Sequence, residues 1–139
     1  MMKKIIFLLT LTSLFSACTK DPGTGGSGTI SGTILKEFRV VLTNPATALY
    51  TVPAADVEVY IVYGEHVSPD DKVMSDYEGN FEFRNLRKGK YTVYTYSRDT
   101  TGQNPPTSDP MKMVVLKEVE LTDNEDHAVI SDLTIYDTP

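Results

Sequence analysis

The sequence predicts an all-β fold, a single antiparallel β-sandwich of about seven strands with an inserted hairpin. From Thr29 onward, apolar and polar residues alternate with the period of two that is typical of half-buried strands, and no segment has a convincing helical stripe. Turn-forming residues separate the alternating segments at short intervals, as in sandwich proteins. The part of the chain after residue 28 is long enough to build one hydrophobic core without disulfides.

The alternation assigns an inner side to each strand in order along the chain. The expected inner residues are Ile30 and Ile34, then Val57, Val59 and Ile61, then Phe81 and Phe83, then Tyr91 and Val93, and last Val129, Leu133 and Ile135. The connection between Lys36 and Val52 is long, and Asn44-Pro45 within it can turn the extra hairpin.

Three tyrosines fall on the outer side of two strands that we expect to be neighbours. Tyr60 lies on one strand, and Tyr94 and Tyr96 lie on the other. Aromatic side chains that face water mark contacts with sugars or proteins, so these residues form a candidate ligand-contact face. The alternative is that a second layer, such as the inserted hairpin, covers them.

The first 17 residues have the anatomy of a secretory signal. Lys3 and Lys4 precede an apolar stretch over residues 5–15, and small residues follow at Ser16 and Ala17. A membrane-spanning helix needs about 20 apolar residues, so this stretch is too short to remain as a span. We expect residues 1–17 to be removed.

Cys18, the only cysteine of the chain, follows these small residues directly. Small residues before a cysteine resemble the lipobox of bacterial lipoproteins, although Phe15 stands where such signals usually carry a smaller aliphatic residue. The resemblance implies that Cys18 carries fatty acyl chains such as palmitate, which hold the protein on the membrane of the cell envelope, expected to be the outer membrane. The alternative is ordinary signal-peptide cleavage with an incidental cysteine.

Residues 18–28 are rich in Gly, Ser and Thr, which is typical of a flexible tether. We therefore assign residues 18–28 to the lipidated cysteine and its tether and residues 29–139 to the folded domain. Within the tether, Gly23, Gly25 and Gly28 match the spacing of a phosphate-binding loop. Such a loop needs a strand before it and a helix after it, and this segment has neither. The spacing therefore does not indicate a nucleotide site.

One stretch, SDYEGNFEFRNLRKGKYTVYTY, carries a family resemblance. Its pattern comprises Asp76, Gly79, Phe81, Phe83, Leu86, Gly89, Tyr91 and Val93. This pattern resembles the carboxypeptidase regulatory-like, transthyretin-type β-sandwich family over roughly residues 28–97, with Ala54 standing where the family usually has Gly. The resemblance implies the sandwich fold, and each of its residues serves turns or packing. Family members are commonly accessory domains of peptidases or of outer-membrane nutrient receptors.

Composition and motifs exclude several function classes. Without residues 1–17 the chain has 11 basic against 19 acidic residues, which argues against nucleic acid as a partner. No nucleophile, metalloprotease or reactive-cysteine motif is present, so we expect no catalytic residues, no enzyme activity and no cofactor. Two acidic loops contain the only histidines, at Glu65, His66, Asp70 and Asp71 and at Asp123, Glu125, Asp126 and His127. Their spacing favours solvated turns over a calcium site, so no metal site is assigned.

The sequence therefore predicts a non-catalytic, lipid-anchored envelope protein that acts as a binding or assembly module. The expected partners are the membrane, through the acyl chains, and a protein of the envelope, such as a receptor or complex to which this domain is accessory. The alternative is a carbohydrate-binding or adhesive module that uses the aromatic face.

Overall fold

The computed structural model describes residues 20–40, 47–98 and 112–137, and these residues form nine strands and no helix. The strands are β1 (Thr24–Val40), β2 (Thr47–Pro53), β3 (Glu58–Tyr63), β4 (Asp71–Met74), β5 (Asn80–Leu86), β6 (Gly89–Arg98), β7 (Lys112–Leu121), β8 (His127–Val129) and β9 (Leu133–Asp137). The predicted signal, Cys18 and the Asn44-Pro45 turn lie outside the described residues.

The strands form two sheets, as the predicted β-sandwich requires. One sheet has the order β4-β3-β6-β7, with every pair antiparallel. The other is organised around β1, whose first half lies between β5 and β8 and whose second half lies between β2 and β9. The antiparallel pairing of β1 with β2 is the predicted inserted hairpin.

The core between the sheets is built by the residues that the alternation places inward. Its buried residues include Ile30, Ile34, Val59, Ile61, Phe81, Phe83, Tyr91, Val93, Leu133 and Ile135, and Val57 packs against them. Burying such side chains contributes about 1.5–3 kcal/mol each relative to exposure, so this set is the main source of stability.

The last strands differ from the prediction. Short β8 and β9 are separate and both run parallel to β1, which raises the number of strands to nine in the described residues and makes the second sheet mixed. The expected inward position of Val129 is wrong, because Val129 is 80% exposed. In the register of β8, Ala128 is opposite the buried Ile30, so Ala128 faces the core and Val129 faces outward.

The folded domain begins earlier than the predicted boundary at residue 29. Strand β1 starts at Thr24, within the segment expected to be a tether. A Cβ on Gly26 would lie 2.1 Å from the carbonyl oxygen of Leu86, so the glycine here permits close approach of two backbones rather than flexibility. The compositional signal for a linker was therefore misleading over residues 24–28.

Tyr91 binds the start of this segment to the domain. The backbone N–H of Gly23 donates to the Tyr91 hydroxyl at 3.0 Å, and the hydroxyl donates to the carbonyl of Arg87 at 2.6 Å. The N–H of Arg87 in turn donates to the carbonyl of Gly23 at 2.8 Å. Because Tyr91 is buried, this small network is shielded from water and holds residues 23–28 against the β5–β6 turn.

The turn between β4 and β5 has the predicted construction. One carboxylate oxygen of Asp76 accepts hydrogen bonds from the backbone N–H groups of Glu78 and Asn80, at 2.9 and 2.8 Å. Gly79 adopts a positive φ of 81°. Asp56, two residues after Ala54, also adopts a positive φ, of 56°.

Candidate contact surface

The three predicted tyrosines meet on the outer face of the sheet β4-β3-β6-β7, called here the open face. Tyr60 of β3 is directly opposite Tyr94 of β6, and Tyr96 lies two residues further along β6 on the same face. Directly paired residues in an antiparallel sheet have their Cβ atoms about 4.5–5.5 Å apart, so the register alone brings the rings of Tyr60 and Tyr94 into contact.

The three rings form a mutually packed cluster. The rings of Tyr60 and Tyr94 are stacked, with centroids 5.1 Å apart and an interplanar angle of 15°. Tyr96 packs edge-on against both, at 5.7 Å from each centroid. One face of the Tyr60 ring therefore covers one face of the Tyr94 ring, while Tyr96 remains 44% exposed.

A polar group borders the cluster at Tyr60. Its hydroxyl donates to a carboxylate oxygen of Glu58 at 2.5 Å, and Lys72 forms an ion pair with the other oxygen of that carboxylate. The hydrogen bond to Glu58 raises the pKa of Tyr60, whereas the bonds from Lys72 and Tyr60 lower the pKa of Glu58. Burial, followed by the neighbouring Tyr96, raises the pKa of Tyr94. At neutral pH these phenols stay protonated and can offer hydrogen-bond donors and apolar surface.

Apolar side chains extend the cluster across the open face, and sequence reasoning missed them. Val114 is opposite Tyr96 and Leu116 is opposite Tyr94, and these two β7 side chains are 48% and 51% exposed. On the far side Met74 of β4 is 52% exposed. The alternation in β7 was visible in the sequence, but only the pairing register shows that its outer residues adjoin the tyrosines.

The alternative that the inserted hairpin covers the tyrosines is wrong. Strand β2 pairs with β1 in the other sheet, and no strand in the described ranges lies over the open face. The hairpin has its own exposed apolar side chains, with Leu49 and Tyr50 at 50% and 53% exposure. Within the described residues, Tyr96, Val114 and Leu116 of the open face are exposed, whereas Tyr60 and Tyr94 are half-buried.

The two acidic loops use their carboxylates to close turns. Asp70 accepts from the backbone N–H of Tyr63 at 2.8 Å and bonds the His66 ring at 2.7 Å. Asp126 accepts from the backbone N–H and hydroxyl of Thr122. Over residues 20–40, 47–98 and 112–137, no group of three or more His, Cys, Asp or Glu side chains is arranged to hold a metal ion.

An open cleft of about 640 Å³ lies between β1, β4 and β5, and its lining includes Asp76, Asn80, Glu82 and Val129. Two of its polar groups are engaged with each other, since Asp76 accepts from Asn80 and closes the turn described above, and Glu82 accepts from Arg84. The cleft therefore presents few converging polar groups to a ligand. The described residues contain no helix with the length and apolar character that a membrane span requires.

No protein-family model matches the chain, and no curated protein matches it significantly. Among solved structures, the chain is similar to a crystal structure of a candidate carbohydrate-binding protein from Pseudomonas aeruginosa. That similarity has a TM-score of 0.45 and 12% sequence identity, and it covers 83% of this chain and 91% of that chain.

Proposed function

We propose that this chain is a non-catalytic, lipid-anchored module of the bacterial cell envelope that binds a partner protein through the open face. The observation that carries the proposal is the packed cluster of half-buried Tyr60 and Tyr94 with exposed Tyr96, continued by exposed Val114 and Leu116. Contiguous exposed apolar surface on a folded domain marks interaction sites, and tyrosines are enriched where proteins meet.

A protein partner fits this surface better than a sugar. A sugar ring stacks on the flat face of an aromatic side chain, and the stacking of Tyr60 on Tyr94 already occupies one face of each ring. Tyr60 and Tyr94 are half-buried, so the most exposed parts of the surface are Tyr96 and the aliphatic side chains of Val114 and Leu116. This mixture resembles the apolar centre and polar rim of a protein interface.

The proposed anchor and location depend on the sequence around Cys18. Acyl chains on that residue would attach the protein to the outer membrane, as in the lipoproteins whose signal it resembles. The resemblance to the carboxypeptidase regulatory-like family supports an accessory role beside a receptor or another envelope complex. Labelling cells with a radioactive fatty acid tests the anchor: the wild-type chain should carry label and Cys18→Ser should not.

The binding proposal is tested with residues 19–139, which retain every described contact. The immobilised domain is exposed to envelope extract, and the triple variant Tyr60→Ala/Tyr94→Ala/Tyr96→Ala is compared with wild type. A matched control, Tyr50→Ala/Tyr77→Ala, removes exposed tyrosines outside the open face. We expect one protein to be retained by wild type and control but lost by the triple variant. Equal retention by all three would contradict the proposal.

Carbohydrate binding is the second candidate, favoured by the hydroxyl of Tyr60 and its partners Glu58 and Lys72, which could bond sugar hydroxyl groups. A glycan array probed with the same three proteins separates the candidates. Glycan retention that depends on the three tyrosines, with no protein retained, would favour this second function. Circular dichroism of each variant verifies that the sandwich is intact.

A further inference from the structure

Strand β7 forms one edge of the open-face sheet. In the described part of the chain it pairs only with β6, over its full length from Lys112 to Leu121. Its opposite edge has no paired strand there. An edge strand of ten residues presents unpaired backbone groups that can accept another strand, and natural proteins usually shorten, cover or charge such edges.

The outward residues of β7 have a self-complementary order. Over residues 112–118 they read Lys112, Val114, Leu116 and Glu118, which is basic, apolar, apolar and acidic, and Glu120 follows on the same face. If a second copy of β7 pairs antiparallel with the first about a two-fold axis at Val115, each Lys112 faces a Glu118 of the other copy. Each Val114 then faces a Leu116, because directly paired residues project from the same side of a sheet.

We propose that the free edge of β7 is a homodimer interface in which two chains pair antiparallel in this register. The partner is a second copy of this chain. The four outward positions between residues 112 and 118 of each strand meet a complementary side chain, giving two opposite-charge pairs and two apolar pairs. Glu118 has no ion-pair partner within the described residues of its own chain, so it is available for this contact.

Other registers satisfy the side chains less well. Moving the axis by one residue to Leu116 keeps the faces matched and pairs Lys112 with Glu120, but it sets each Val114 opposite a Glu118. An axis at Val114 pairs Lys112 with Leu116. Among the outward residues 112–118, only the axis at Val115 avoids opposing an apolar side chain with a charged one; on the inward side the same axis sets Met113 opposite Lys117. The register is therefore a specific part of the proposal.

Pairing in this way would join two open faces into one surface. Leu116 adjoins Tyr94 and Val114 adjoins Tyr96 within each chain. In the dimer, the Leu116–Val114 contacts connect the tyrosine cluster of one copy to that of the other. The dimer is therefore bivalent, and a partner with two binding segments would be held by both clusters. Dimerisation does not depend on the binding proposal, since it is measured on the isolated domain.

Sedimentation equilibrium of residues 19–139 tests the association. Pairing of about seven residues along one edge gives a small interface, so we expect a weak dimer with a Kd of about 1–100 μM. The average mass should rise from monomer to dimer across that range. A domain that stays monomeric throughout it would overturn the proposal.

Charge reversal tests the register. Glu118→Lys changes both symmetry-related pairs from attraction to repulsion and should weaken the dimer roughly 10-fold to 30-fold. Adding Lys112→Glu to that variant should restore association, because both pairs are then re-formed with reversed signs. Glu120→Lys is the matched control, on the same face but outside the paired residues 112–118. A Glu120→Lys effect as large as that of Glu118→Lys, or no rescue, would refute this register.

Cysteine cross-linking provides an independent readout. Residues 19–139 contain no thiol, since Cys18 is the only cysteine. Val115→Cys places two thiols at the two-fold axis, across directly paired strands, and should form a disulfide-linked dimer under mild oxidation. Val119 is half-buried like Val115. In Val119→Cys the two thiols would be separated by about 26 Å along the paired strands, so this variant should not form the disulfide-linked dimer. Equal cross-linking at the two sites would contradict the proposal.

Discussion

Removing the Tyr91 hydroxyl tests whether residues 23–28 are part of the fold. In Tyr91→Phe the buried N–H of Gly23 loses its acceptor at 3.0 Å, and the carbonyl of Arg87 loses a donor at 2.6 Å. A buried polar group left unpaired costs about 1–3 kcal/mol. The bond from the Arg87 N–H to the Gly23 carbonyl is kept, so only the two groups that lose the Tyr91 hydroxyl contribute to the loss. We expect the free energy of unfolding to fall by about 2–3 kcal/mol. That is a large share of the roughly 5–15 kcal/mol that stabilises a typical domain.

The assay is urea denaturation of residues 19–139, followed by circular dichroism or by tyrosine fluorescence, since the chain has no tryptophan. Tyr77→Phe is the control: Tyr77 is 82% exposed, and its change should stay within about 0.5 kcal/mol. Hydrogen exchange at the Gly23 amide should also accelerate in Tyr91→Phe. If Tyr91→Phe unfolds within about 0.5 kcal/mol of wild type, the network does not stabilise the fold and the reasoning fails.

Three further predictions concern stability. Gly79→Ala should cost at least about 2 kcal/mol in urea denaturation, because φ is positive there and the new Cβ would lie 2.4 Å from the Ile34 carbonyl oxygen. Hydrogen bonds from backbone amides lower the pKa values of Asp76 and Asp126. The contribution of these carboxylates to the free energy of unfolding is therefore present above about pH 4 and is lost as the pH falls through the lowered pKa values. An unfolding free energy that is independent of pH between about 2 and 5 would contradict this. Burial raises the pKa of Tyr63, so the contribution of its neutral phenol to the free energy of unfolding is present below about pH 10 and is lost as the pH rises through the raised pKa. Absorbance titration should show one phenol that ionises at a higher pH in the folded chain than in the unfolded chain.

The core and the turn between β4 and β5 were predictable because local sequence patterns determine them. Alternation assigned Val59 and Phe83 to the interior, and the residue types at Asp76 and Gly79 matched the needs of a tight turn. These features depend on residues a few positions apart. They can be inferred without knowing which strands pair.

Features that depend on distant pairing were not predictable. The parallel contacts of β8 and β9 with β1 join residues about a hundred positions apart, and they decide that Ala128 rather than Val129 faces the core. Glycine is also ambiguous, since flexible linkers and closely approaching strands both select it; Gly26 belongs to the second class. The tyrosines could be assigned to one face, but their continuation by Leu116 required the β6–β7 register.

The attachment of Gly23 to the β5–β6 turn limits how far the domain could travel from an acylated Cys18. The carbonyl of Asp21 already accepts a bond from the Arg87 guanidinium at 3.4 Å, so the chain from residue 18 to this contact is about four residues, at most about 14 Å when extended. A linker this short would keep the end of the sandwich that contains Asp21 and Arg87 close to the lipid headgroups. Lengthening it with a glycine-serine spacer after Lys20 would change the height of the domain above the bilayer while leaving its fold untouched.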